Sequence, residues 1–117
     1  MKDYNGEIEY KNKKYKLVFN VNVVEKIQEE YGSYDNWVNL VQPEEKGKET
    51  DLKAFKFAFA EAINEGIDIE NEDNGTNIEP LTLKQIGRML NEIGIKEANK
   101  ELQKTIIEST KGEEKNV

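Results

Sequence analysis

Side chains able to carry chemistry are unevenly supplied in this 117-residue chain, which has 24 Asp and Glu, 17 Lys and Arg, but neither His nor Cys. Without imidazole, the usual base beside a nucleophilic hydroxyl is missing, and so is a common metal ligand. Without Cys there is no disulfide, no thiol catalysis and no thiolate metal site. Ser33 and Ser109 are the only serines, and Ser33 follows Gly32 with no Gly-x-Ser-x-Gly elbow around it, at a point that suits a helix cap. The glycines are dispersed and none precedes a Lys-Ser or Lys-Thr pair, so no phosphate-cradling loop is written here. Carboxylate pairs remain, but Asp and Glu are so abundant that no one pair is singled out. The pattern points away from an enzyme, and no catalytic, metal-binding or cofactor-binding residue is assigned.

Charge is the next resource. The formal net charge is -7. Most of it falls in the second half: residues 1–60 carry 10 basic and 11 acidic side chains, residues 61–117 carry 7 and 13. Glu65, Asp68, Glu70, Glu72, Asp73 and Glu79 follow one another with no Lys or Arg between them. A nucleic-acid partner demands a basic stripe to displace counterions from phosphates, and none of that size exists, so nucleic-acid binding is disfavoured. Read as a calcium loop with Gly75 at the sixth position, the run puts Leu81 at the closing bidentate position, where it cannot ligate. A solvated acidic loop over 67–79 is the expectation. Lys11, Lys13, Lys14 and Lys16 cluster at a hairpin tip, where lysine keeps an edge soluble. Arg88, the only arginine, is expected to pair with a helical carboxylate.

These groups must be positioned by local structure. Ile8 and Tyr10, then Tyr15, Leu17 and Phe19, alternate with Glu and Lys across a polar, Asn-containing turn, which predicts a β-hairpin over about 6–19. Val18 breaks the polar side, so the end of the second strand should be covered on both faces. At Asn20 the period changes: Val21, Val24, Ile27 and Tyr31 predict a helix over 21–31, capped by Asn20 or Asn22 and stopped by Gly32. Ser33 opens a short helix over 34–41 with Tyr34, Trp37, Val38 and Val41 as its stripe, and residues 42–50 read as an exposed loop. A third helix over 51–65 is apolar around most of its circumference and is closed by Gly66. Thr82 and Gln85 suit a capping box for a helix over 82–93, buried through Leu83, Ile86, Leu90 and Ile93. A last helix over 96–111 carries Ala98, Leu102, Ile106 and Ile107. The result is an α+β, mostly helical, single domain over 1–111 with a frayed tail at 112–117. No apolar run approaches the roughly 20 residues of a membrane span, and the first residues lack a signal-peptide apolar stretch, so a soluble intracellular protein is expected.

The aromatic residues are the most informative feature. Tyr31, Tyr34 and Trp37 crowd the Gly32–Ser33 junction, as core packing or as an interface anchor. Phe55, Phe57 and Phe59 lie on one helix, where alternate positions are about 200° apart, so they cannot all face one way. Few other apolar residues are at hand to cover that helix, which suggests a face kept for another chain.

The layout resembles the tail assembly chaperones of long-tailed phages and prophages. It is carried by the Tyr15-x-Leu17-x-Phe19 strand, the helix ending in Tyr31-Gly32, the short aromatic helix, the Asp-Leu-Lys-Ala-Phe start at 51–55 and the Leu-Thr-Leu-Lys-Gln-Ile-Gly run at 81–87. The likeness covers roughly 6–110. It implies a non-enzymatic protein that binds the tape measure protein, keeps it soluble and helps recruit the tail tube protein, with self-association in some members. It further implies action in the bacterial cytoplasm and absence from the mature virion. No binding residue transfers by motif. From the residues themselves, a client groove is expected with Phe55, Phe57, Phe59 and Ile63 along its floor and Tyr34 or Trp37 at its rim. Two other readings stay open: a small acidic regulator that mimics nucleic acid through residues 65–79, and a structural tail or head component.

Overall fold

The computed structural model describes residues 5–114, which form an antiparallel hairpin followed by five helices. Strands β1 (Asn5–Tyr10) and β2 (Lys13–Val18) pair from Asn5↔Val18 to Tyr10↔Lys13. The turn is tighter than the polar run suggests: only Lys11 and Asn12 lie outside the strands, both at positive φ (51° and 62°). That is the handedness which lets a two-residue connection follow the strand twist. The end of β2 is covered on both faces as expected, with Leu17, Val18 and Phe19 all buried.

Helices α1 (Val21–Tyr31) and α2 (Tyr34–Val41) keep the expected bounds. The Asn20 side chain accepts from the Val23 backbone N–H at 3.2 Å, and Ser33 accepts from Asn36 at 3.0 Å, which identifies both caps. Val23 and Ile27 form the buried line of α1, flanked by half-buried Val24 and Tyr31. Val21, expected on that stripe, faces outward from the first turn, two residues and so about 200° from Val23.

The largest departure is α3, which runs Leu52–Asn74. Gly66 is not its stop. It is buried in mid-helix, where a Cβ would stand 2.5 Å from the Lys16 carbonyl oxygen as β2 crosses over. Glycine here admits a neighbouring backbone, and the helix continues because Ile67 still has a core to enter. Asp68, Glu70, Glu72 and Asp73 therefore ride on a helix, and the expected acidic loop shrinks to a short connection after Gly75, the left-handed C-cap. Asn71 ties that connection down, its side chain accepting from Thr76 Oγ1 at 2.8 Å and from the Ile78 N–H at 2.9 Å.

Helix α4 (Leu83–Ile93) begins in the expected capping box, with Thr82 and Gln85 each accepting from the other's backbone N–H. Its buried residues are Ile86, Met89 and Leu90; Leu83, assigned to the buried face by its period, is 52% exposed at the first turn. Helix α5 (Ile95–Glu114) starts directly after Gly94 and packs on β1. It continues through 112–114 of the expected tail, while 115–117 lie outside the described residues. The hairpin, α1, α2 and α4 all pack on α3, which makes α3 the axis of the core. Among the described residues no helix is long and apolar enough to cross a membrane.

Candidate protein-binding surface

That arrangement decides where the expected site residues fall. Phe55, Phe59 and Ile63 are 0% exposed, and Trp37 is 1% exposed with its indole N–H donating to the Ala54 carbonyl at 3.0 Å. Phe55 and Phe59 pack ring on ring at 5.8 Å, and Tyr34 bridges Phe19 and Trp37 at 6.1 and 5.5 Å between centroids. The expected floor of an open groove is thus the interior of the protein. Short apolar contributions from β2, α1, α2 and α4 jointly enclose it, a coverage that no one segment displays. Of the six residues, only Phe57 and Tyr34 keep part of their surface. Phe57 meets the edge of the Tyr31 ring at 5.6 Å, and burial leads the causes that raise the Tyr34 hydroxyl pKa, with Asp35 second. The six therefore form no common surface for a client.

A different apolar surface is open. Leu52, Lys53 and Lys56 of α3 face Gly87, Leu90 and Asn91 of α4 across a groove of about 400 Å³, closed at one end by Ile95. Leu52 is 60% exposed, and Leu83 lies one turn before Gly87 on the same face of α4. Leu90 is buried beneath it. Exposed aliphatic side chains gathered along a groove differ from scattered surface apolars, because together they offer a dry contact.

Gly87 is what opens this groove. It sits within α4 at a φ outside the positive region. A Cβ there would meet only Lys56, 3.8 Å from Nζ and 3.9 Å from Cδ. Those are ordinary contacts, so packing does not require glycine here as it does at Gly66. A helix-interior glycine costs about 1 kcal/mol relative to alanine, and a local cost without a structural return is a mark of function. Gly87→Ala is accordingly expected to raise the unfolding free energy by about 1 kcal/mol in urea titrations. A loss of stability would show that the fold does need the glycine.

Two further clefts mix charged and apolar side chains. One, of about 400 Å³, lies between α1 and α3 and holds Asn22, Glu25, Lys26, Glu61, Glu65 and Asp68. Asn20 and Asn22 both donate to Glu65 Oε2, at 2.7 and 2.9 Å. Burial pushes the Glu61 carboxyl above the usual carboxylate range; Lys26 opposes this, while Glu65 and Glu29 add to it. The folded chain therefore holds that proton more tightly than the unfolded chain does. Stability contributed by the protonated form is present at low pH and is lost as pH rises from the ordinary carboxylate value through the raised one. Glu61→Gln is expected to raise Tm at neutral pH and to leave it unchanged below about pH 4. An equal rise at both would contradict that origin.

The second cleft, of about 250 Å³, sets Arg88 beside Tyr10, Lys11, Tyr15 and Gln85. The carboxylate partner expected for Arg88 is not among the ion pairs of the described residues, which join Lys14 to Glu7, Lys26 to Glu29 and Lys48 to Glu45. Lys11 and Lys13 lie over the Tyr10 and Tyr15 rings at 5.4 and 5.2 Å. The α3/α4 groove is hidden in the sequence because Leu52 satisfies helical periodicity as well as any core residue. The available signal was Gly87 in the middle of a helical run. No protein-family model, curated protein or solved structure matches the chain.

Proposed function

We propose that this chain is a non-enzymatic tail assembly chaperone of long-tailed phage or prophage type. It binds an apolar helical segment of the tape measure protein in the α3/α4 groove, keeps that protein soluble in the host cytoplasm and helps recruit tail tube subunits. On this reading it leaves before the virion is complete. The observation that carries the reading is the groove itself, lined by exposed Leu52 and Ile95 over Leu90 and opened by Gly87. Helix-in-groove recognition uses such a surface: apolar anchors enter a pre-formed furrow and the rest of the partner stays outside. The residue pattern of the hairpin, the Tyr31-Gly32 end and the 81–87 run agrees with the same family.

Co-expression tests it. The wild-type chain should hold the tape measure protein of the same genome in the soluble fraction. Leu52→Asp should release it to the pellet with the helical circular dichroism unchanged, since Leu52 is largely exposed. Solubility of the tape measure protein that is equal with and without the chain would reject the reading. The acidic-regulator alternative draws on one specific observation: Glu61, Glu65, Asp68 and Glu72 follow i, i+4, i+7 and i+11 along one face of α3. It predicts that Glu65→Lys with Asp68→Lys abolishes partner binding and that Leu52→Asp does not.

A further inference from the structure

We infer that the α3/α4 groove selects an apolar helix edged with carboxylates: one large apolar side chain of the partner seats over Gly87, and flanking Asp or Glu side chains pair with Lys53 and Lys56. This rests on the groove being the binding surface, and it names the chemistry of what binds there.

The charge around the groove is opposite to that of the chain as a whole. With 24 acidic and 17 basic side chains overall, a surface feature drawn at random would carry acid. The groove is lined by Lys53 and Lys56 and by no Asp or Glu. Among the described residues, the ion pairs lie elsewhere and engage neither lysine. Both lysines stand on the α3 wall, three residues apart and so on one side of the helix, which adds cationic charge to the wall that also carries Leu52.

Shape sets the rest. Lys56 is half-buried, with its stem beside Gly87 and its Nζ near the position where a side chain of α4 would begin. The notch at Gly87 therefore has an aliphatic floor in Leu90, an aliphatic end in Ile95 and an ammonium at its lip. Apart from the two lysines, Asn91 is the only polar side chain on the lining, so little would orient a small polar ligand. A helix fits better: its apolar stripe meets Leu52, Leu90 and Ile95, and carboxylates one turn apart on its edge meet the lysines. The negative stripe on α3 from Glu61 to Glu72, beyond the groove lysines, repels the same carboxylates and so fixes which end of the protein they approach.

The experiment uses the full chain and three fluorescent amphipathic peptides with Leu at i, i+3, i+4 and i+7, flanked by Glu, Gln or Lys. Anisotropy titrations at low salt are expected to rank them Glu, Gln, Lys. Two rim ion pairs should give about tenfold between the first two, shrinking as salt is added. Lys53→Glu with Lys56→Glu should invert the order, and Gly87→Leu should abolish binding of all three with the circular dichroism intact. Equal binding of the three peptides, or an order unmoved by the double reversal, overturns the charge selection; the groove reading survives that result if Gly87→Leu and Leu52→Asp still abolish binding. Binding that persists in both of those variants overturns the groove and the inference together. Failure of all three peptides to bind overturns the inference, and the co-expression test then decides the groove reading by itself.

Discussion

Phe59→Ala is expected to lower the unfolding free energy by about 3–5 kcal/mol, the range for deleting a fully enclosed phenyl ring. Phe59 has no exposed surface, stacks on Phe55 and lies on α3 among the elements that surround it. Its loss opens a cavity that the hairpin on one side and α1, α2 and α4 on the others cannot all collapse to fill. The same change at Phe57, which is half-buried against the Tyr31 ring, should cost clearly less. Urea unfolding of the two variants checks the contrast. Equal and small losses would mean that Phe59 is not enclosed, and would restore it as a candidate for contact with a client.

Gly66→Ala is expected to destabilise by about 3 kcal/mol, at the upper end for an added methyl with no room. The new Cβ would sit 2.5 Å from the Lys16 carbonyl oxygen and 3.3 Å from the Lys16 carbonyl carbon. Backbone cannot step aside as the end of a flexible side chain can, so β2 must lift from α3. The damage should show first as loss of protected amides in the hairpin, because a two-stranded hairpin has little stability without a covering surface. A substitution judged by helix propensity alone would have the opposite sign, since alanine is the better helix former. The two mid-helix glycines thus make a controlled pair: Gly66→Ala should lose stability and Gly87→Ala should gain it. Thermal melts of both variants in one buffer give the answer directly, and a gain at Gly66 would contradict the close approach.

Much of the architecture is legible in the residues because helix ends are local. Asn20, Ser33 and Thr82 each accept from the backbone N–H three residues on, and Gly32 ends α1 through its own backbone bond to Gln28. Such signals need no knowledge of the rest of the fold. Gly66 is different. A glycine that ends a helix and one that admits a crossing strand look the same in a sequence, and only the position of Lys16, fifty residues earlier, separates them. The surplus of apolar surface on α3 misleads for a related reason. Leu17, Phe19, Val23, Ile27, Trp37, Ile86 and Met89 come from four separate segments, and their convergence on one helix is a tertiary fact. The groove was hidden by the converse effect: periodicity says that Leu52 belongs to an apolar stripe, but not that the stripe extends past the elements covering it.

The surface between α3 and α4 carries the functional reading, and amide chemical-shift mapping tests it most directly. An isotope-labelled chain titrated with an apolar helical segment of the tape measure protein should show its largest shifts at Leu52, Lys53, Lys56, Gly87, Leu90, Asn91 and Ile95, with the amides of the enclosed Phe55, Phe59 and Ile63 moving less. Shifts concentrated along Glu61, Glu65, Asp68 and Glu72, or at the Tyr31–Phe57 edge, with the groove amides unmoved, would contradict it.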